Sequence, residues 1–197
     1  MIVIGVTGHR FLADISRLQA GIDQALARIE QAYPIQGWSV LSSLAEGADR
    51  LVVQCVVKYR PAARLIVPLP LPPDDYLQDF ASAESRQEFL GWLGLASEVI
   101  PPPAAQTRED GYQAAGQYML DHCDVLIAVW DGQGAQGQGG SGEIVALARA
   151  REIPLAWVHA GNRRPGTAEP ISLGVEHGQV TYERFPGGPA ALADDVL

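Results

Sequence analysis

Short apolar runs alternate along the chain with longer stretches in which apolar residues recur every three or four positions. Ile2–Val6, Trp38–Leu41, Leu65–Val67, Glu98–Ile100, Val125–Val129 and Leu155–Val158 have the length and apolar content of strands. Between the first two, Ile15–Tyr33 places Ile15, Leu18, Ile22, Leu26 and Ile29 on one helical face. Glu46–Tyr59 does the same with Leu51, Val52, Cys55, Val56 and Tyr59. Further helices are predicted over Arg86–Ala96, over Glu109–His122 with Tyr112, Ala115 and Met119 facing the core, and over Gly142–Arg151. Val125–Val129 is apolar at every position, which predicts a central strand covered on both faces.

Strand–helix alternation of this kind predicts an α/β fold, a mainly parallel sheet between two helical layers. The proline-rich PLPLPP ends the third strand and PPP the fourth. Asp74, Asp75, Tyr76 and Asp79 then read either as a solvated loop or as a lid facing a ligand, with no metal site expected. Beyond His159 the pattern weakens. GNRRPGTAEP is a loop, Gln179–Arg184 a last edge strand and FPGGPAALADDVL a tail. One domain over 1–197 is expected, its core at about 1–160 and the segment 161–197 peripheral.

Composition narrows the function classes. Of the 197 residues 47% are hydrophobic and 19% charged, enough to build a core. No apolar run approaches the roughly 20 residues of a membrane span, and MIVIGVTGHR lacks the basic start of a secretion signal. Cys55 and Cys123 lie far apart in apolar patterns, so two buried thiols are expected, in the cytoplasm. A net charge of −9, with Lys58 the only lysine, argues against general nucleic-acid binding. A small anionic ligand stays compatible, because backbone N–H groups at helix starts hold phosphate without side-chain charge.

In an open parallel sheet ligands sit beyond the carboxyl ends of the strands. Thr7, Gly8, His9 and Arg10 follow the first strand in GVTGHR. They read either as a tight turn with solvated side chains or as a ligand-facing loop in which Arg10 pairs with an anion or a structural carboxylate. The second strand leads into SSLAEGAD. Ser43 and Glu46 there have the spacing of a capping box, while Ser42, Ser43, Glu46 and Gly47 are also placed to contact a ribose or phosphate. Asp49 falls in the first helical turn, where an acid suits the helix dipole. Thr7 occupies the place a GxGxxG fingerprint gives to glycine, no GK[ST] occurs, and strand two ends in serines where a ribose-binding acid would stand.

The run WDGQGAQGQGGSGEIV opens with Asp131 and Gly132 after the central strand and leads straight into a helix. That position predicts a phosphate seat made by Gly139, Gly140, Ser141, Gly142 and Glu143, rather than a slack linker. His159 reads as a ligand contact or an interior histidine. Arg108 and Tyr112 could pair with or stack on a base.

GVTGHR, SSLAEGADR, DDYLQDF, and DVLIAVWDG followed by GGSGEIVALAR together resemble the SLOG superfamily, from about Ile2 to His159. This Rossmann-like group includes the LOG phosphoribohydrolases and DNA-processing protein A. The resemblance implies a three-layer fold and a nucleotide or nucleotide-derived ligand with its phosphate at the glycine loop; no cofactor is implied, and three strand-end loops without an assembled catalytic set point to a sensor. The LOG enzymes carry PGGxGTxxE. Laid over it, GGSGEIVA matches Gly139 or Gly140, and Gly142, but sets Glu143 at the threonine and Ala146 at the catalytic glutamate. The alternative is therefore a hydrolase of the N-glycosidic bond of a nucleoside monophosphate, with Glu143 or Glu46 as the acid and Arg10 orienting the phosphate. Related folds also build their sites at dimer interfaces, so a homodimer is an expectation.

Overall fold

The alternating pattern closes into a single sheet in the computed structural model, which describes residues 1–102, 104–134, 139–161, 167 and 174–186. In chain order the elements are β1 (Ile2–Gly8), α1 (Ile15–Ala32), β2 (Trp38–Leu41), α2 (Ala48–Tyr59), β3 (Arg64–Pro68) and α3 (Pro73–Tyr76). They continue with α4 (Ala83–Gly94), β4 (Glu98–Ile100), α5 (Arg108–His122), β5 (Val125–Trp130), α6 (Ser141–Ala150), β6 (Leu155–His159) and β7 (Val180–Glu183). The strands lie in the order β4-β3-β2-β1-β5-β6-β7. All neighbours are parallel except β6 and β7, which are antiparallel.

Strand order runs outward from β1 through β2, β3 and β4, then reverses to β5 on the other side of β1. The fold is Rossmann-like, with its switch point between β1 and β5. Alternation along β5 serves two cores at once. Val125, Ile127 and Val129 join Leu18, Ile22, Leu26 and Val52 of α1 and α2. Leu126, Ala128 and Trp130 join Met119, Leu120, Ile144 and Val145 of α5 and α6 on the opposite face. Among the described residues no helix is long and apolar enough to cross a membrane.

Three of the differences from the sequence pattern have a clear local reason. Helix α2 begins at Ala48, not Glu46, because Gly47 stands at φ +80°, outside helical geometry. Helix α4 begins at Ala83, not Arg86, because the Ser82 hydroxyl caps it by accepting from the Ser85 amide at 3.1 Å. The acidic segment expected as a loop or lid forms α3, with Pro73 at its start, and a 3-10 turn over Leu77–Asp79. There Tyr76 is buried, its ring centroid 4.9 Å from that of Phe80 and 5.5 Å from that of Phe89. Cys55 is buried and Cys123 half-buried, and both are free thiols. The expected edge strand forms as β7, whereas most of the loop over 161–170 and the tail beyond Pro186 lie outside the described residues.

Arg50, in the first turn of α2, binds this second layer together from inside. Its Nε donates to the Leu44 carbonyl at 3.0 Å. Its Nη1 donates to the Ser85 carbonyl at 3.0 Å, the Ser85 hydroxyl at 2.8 Å and Glu88 at 3.0 Å. The guanidinium carbon also lies 4.6 Å from the centre of the Phe80 ring. Leu44 needs this support, because it holds a left-handed φ of 60° that a non-glycine residue adopts at a cost. Truncation would leave two carbonyls without their donor and open a cavity. Arg50→Ala is therefore expected to lower unfolding stability in urea by about 3 kcal/mol. Arg50→Lys should recover less than half, since an ammonium cannot reproduce the forked geometry. A loss under about 1 kcal/mol for the alanine variant would contradict this role.

Candidate functional site

Backbone hydrogen bonds stitch the strand-end loops together. The His9 amide donates to the Val129 carbonyl at 2.9 Å, and the Ala48 amide donates to the His9 carbonyl at 2.9 Å. Gly47 makes the second bond possible. A Cβ on it would stand 2.4 Å from the carbonyl oxygens of both His9 and Arg10, and its φ is left-handed. Gly47 is thus a packing residue and does not line the cavity that opens beside it.

That cavity holds about 280 Å³ at the switch point between β1 and β5. Thr7 and Gly8 end β1 at one side, with Ser43, Ala45 and Asp49 next to them. Tyr76 and Asp79 come from the segment after β3, and Tyr112, Gly116 and Met119 from α5. Gly139, Gly140, Ser141 and Ile144 form the far wall at the start of α6. Arg10 completes the lining and is half-exposed.

The capping box does not form. The Ser43 hydroxyl donates instead to the Pro68 carbonyl at 2.8 Å. The Glu46 carboxylate accepts from Arg10 at 2.9 Å, the Ala81 amide at 3.1 Å and the Ser85 hydroxyl at 2.5 Å. Burial pushes the Glu46 carboxyl up, but the bonds from Ser85, Ala81 and Arg10 outweigh it and hold the group below its ordinary value. Glu46 is a clamp between the β1 loop and α4, outside the cavity lining. Ser42 is buried too, spending its hydroxyl on Asp49 Oδ2 at 2.9 Å.

Asp49 carries the most perturbed carboxyl. Its Oδ2 also accepts from the Ala45 amide at 3.3 Å, yet burial pushes the group up to about 6 against these bonds and the charge of Arg50. Tyr76, 3% exposed, makes no side-chain hydrogen bond to any other described residue. Burial, then the Asp49 charge, drive its phenol upward, so it stays a protonated donor. Asp79, by contrast, is saturated by Arg108 and Tyr112, and its carbonyl accepts from Arg10 at 2.6 Å. Burial and then Asp79 raise the Tyr112 phenol in turn.

At the far wall, α6 starts on Gly140 with no side-chain cap. Its first N–H groups have no carbonyl of their own helix to meet. Gly139 stands at φ +73°, and its amide donates to Glu143 Oε2 at 2.6 Å. Gln113 donates to the other oxygen at 3.2 Å. Glu143 therefore pins the glycine turn from outside the cavity, and Gly142 does not line it either.

The residues directly after β5 lie outside this cavity, and Asp131 and His159 border a smaller one of about 80 Å³. His9 Nε2 accepts from the Asp131 amide at 3.1 Å and lies 3.3 Å from its carboxylate. Burial lowers the His9 pKa despite that carboxylate, which favours the neutral ring as acceptor. A Cβ on Gly132 would stand 2.9 Å from the Trp157 ring. His159 stacks on Trp157, ring centroids 3.9 Å apart, and meets the Thr181 hydroxyl at 2.7 Å, away from the main cavity.

The cavity thus gathers Thr7, Gly8, Arg10, Ser43, Gly139, Gly140 and Ser141 from the residues expected at a ligand, and leaves out His9, Ser42, Glu46, Gly47, Asp131, Gly132, Gly142 and Glu143. It adds Asp49, whose place in the first helical turn pointed only to the helix dipole. Its burial and its alignment with the end of β2 have no signature in spacing. Met119, expected in the core, is buried and borders the cavity as well.

No protein-family model matches the sequence, and no curated protein does. The structure is similar to the X-ray structure of DNA processing protein A from Streptococcus pneumoniae, at 14% identity and a TM-score of 0.47 over 78% of this chain. The chain spans about half, 48%, of that structure. The likeness is one of architecture.

Burial of Asp49 has a pH signature. Its folded pKa, about 6, exceeds the model-peptide value of 3.8, so the folded chain holds the proton more tightly than the unfolded one. The resulting stabilisation is complete below about pH 4 and is lost as pH rises through about 6, leaving a cost of roughly 3 kcal/mol at pH 8. Asp49→Asn keeps an acceptor for Ser42 and Ala45 and does not titrate. In urea it is expected to match the wild type near pH 4 and exceed it by up to about 3 kcal/mol at pH 8. A stability difference independent of pH would show that burial does not raise the Asp49 pKa above its unfolded value.

Proposed function

We propose that this protein binds a nucleotide or nucleotide-derived small molecule in the switch-point cavity, with the phosphate against the start of α6. The observation that carries the reading is the uncapped, glycine-led beginning of a ten-residue helix bordering a cavity. Such a terminus offers free N–H donors and the positive end of the dipole. Arg10 supplies a cation at the same cavity, and Tyr76 and Tyr112 supply aromatic surface for a base. At about 280 Å³ the space lies near the lower limit of roughly 300–1,000 Å³ for small-molecule pockets, which suits a mononucleotide better than a dinucleotide.

The SLOG resemblance of the four motifs supports the same ligand class. The hydrolytic alternative draws no support from its named acids, since Glu46 and Glu143 are spent on other partners outside the lining. Binding without an assembled catalytic set supports a sensing role.

Thermal-shift measurement with AMP, NAD, ADP-ribose and cyclic AMP tests the reading. A bound ligand at a hundred times its Kd adds about 2.7 kcal/mol, a rise in Tm of roughly 5–10 °C for a domain of this size. No shift with any of the four overturns it. Ser141→Asp separates seat from fold, because an acid in the first turn of α6 suits the helix dipole. It is expected to weaken AMP at least about tenfold through charge repulsion while leaving adenosine unchanged.

A further inference from the structure

The sequence ends β2 in two serines, and the fold brings an acid to that place from elsewhere. Asp49 turns back from α2 so that Ser42 Oγ and the Ala45 amide both donate to its Oδ2. Among the described residues Oδ1 takes no side-chain hydrogen bond, and Asp49 borders the cavity with 8% exposure. The neighbouring Arg50 does not line the cavity, and its Nε and Nη1 are committed to Leu44, Ser85 and Glu88. Tyr76, equally buried, brings a second unpartnered polar group to the same cavity. A carboxylate oxygen on the cavity wall can accept from a ligand donor, and a hydrogen bond to a charged acceptor is a strong one.

Position decides which part of a ligand supplies the donor. The first turn of α2 packs on the end of β1, so closely that a Cβ on Gly8 would lie 2.5 Å from the Ala48 Cβ. Asp49 therefore lies beside the ends of β1 and β2, held there by Ser42. In dinucleotide-binding sheets an acid at the end of the second strand holds the ribose hydroxyls. We propose that Asp49 is the specificity-determining residue of this cavity, accepting hydrogen bonds from the vicinal hydroxyls of a ribose, so that a ribonucleotide binds in preference to its 2′-deoxy counterpart. This rests on the nucleotide-binding reading above.

Isothermal titration of the wild type with AMP, GMP and their 2′-deoxy forms at pH 8 is the test. The ribonucleotide is expected to bind about 10–100-fold more tightly, as a hydrogen bond to a charged acceptor implies. Asp49→Asn should bring the ratio within about threefold by weakening the ribonucleotide alone, since a neutral acceptor bonds less strongly. The wild-type comparison stands even where the variant fails to fold. If none of the four binds, the nucleotide reading itself falls. If ribo and deoxy forms bind equally, or the ratio survives in a folded Asp49→Asn variant, the assignment to Asp49 is overturned while nucleotide binding stands. A preference for GMP over AMP with no effect of the 2′-hydroxyl would assign the carboxylate to a base edge and overturn it as well.

Discussion

The hydrogen bond from the Ala48 amide to the His9 carbonyl fixes where the second helix begins. It requires two stretches of backbone to meet with no side chain between them, which only Gly47 permits. Once α2 is set against β1, its first turn has no freedom left. Asp49 is carried to the end of β2 and Arg50 is carried under the loop to Leu44 and α4. Two successive residues thus do opposite work, one bordering the cavity and one sealing the layer behind it.

Most of the architecture was legible in the amino-acid pattern because it rests on periodicity. The uniform apolarity of Val125–Val129 announced a strand buried on both faces, and β5 is buried throughout. The 3.6-residue spacing of Leu18, Ile22, Leu26 and Ile29 announced α1. Helix α3 was not legible, because a four-residue helix has no periodicity. What holds it is the packing of Tyr76 against Phe80 and Phe89. The cavity was legible in part. Glycines and hydroxyls at strand ends pointed to Thr7, Gly8, Ser43 and Gly139–Ser141. The roles of Glu46 and Asp49 were hidden, because Glu46 answers to Ala81 and Ser85, some 35 residues away or more. Spacing made a capping box plausible, and long-range partners won.

The loop SSLAEGAD concentrates local costs. Leu44 holds a left-handed backbone, Asp49 keeps a carboxyl in a dry place, and Gly47 spends the entropy of an ordered glycine. Arg50 and Ser42 offset them with hydrogen bonds to Leu44 and Asp49. Such a cluster, bordering the cavity at the strand ends, is what a binding loop on a rigid scaffold requires.

The pairing of β1 with β5 has a consequence for assembly. Val3 donates to the Asp124 carboxylate across 121 residues, and Asp131 meets His9 across 122. Loop closure over such spans is costly in entropy and comes late when contacts form by proximity. A nascent chain that has emerged only through α4 has made the acid, the hydroxyls and Tyr76, but has no α6 to face them. The hollow exists only after the two halves of the sheet have joined. Anything that occupies it stabilises that union, the seam where the most distant parts of the chain are held together.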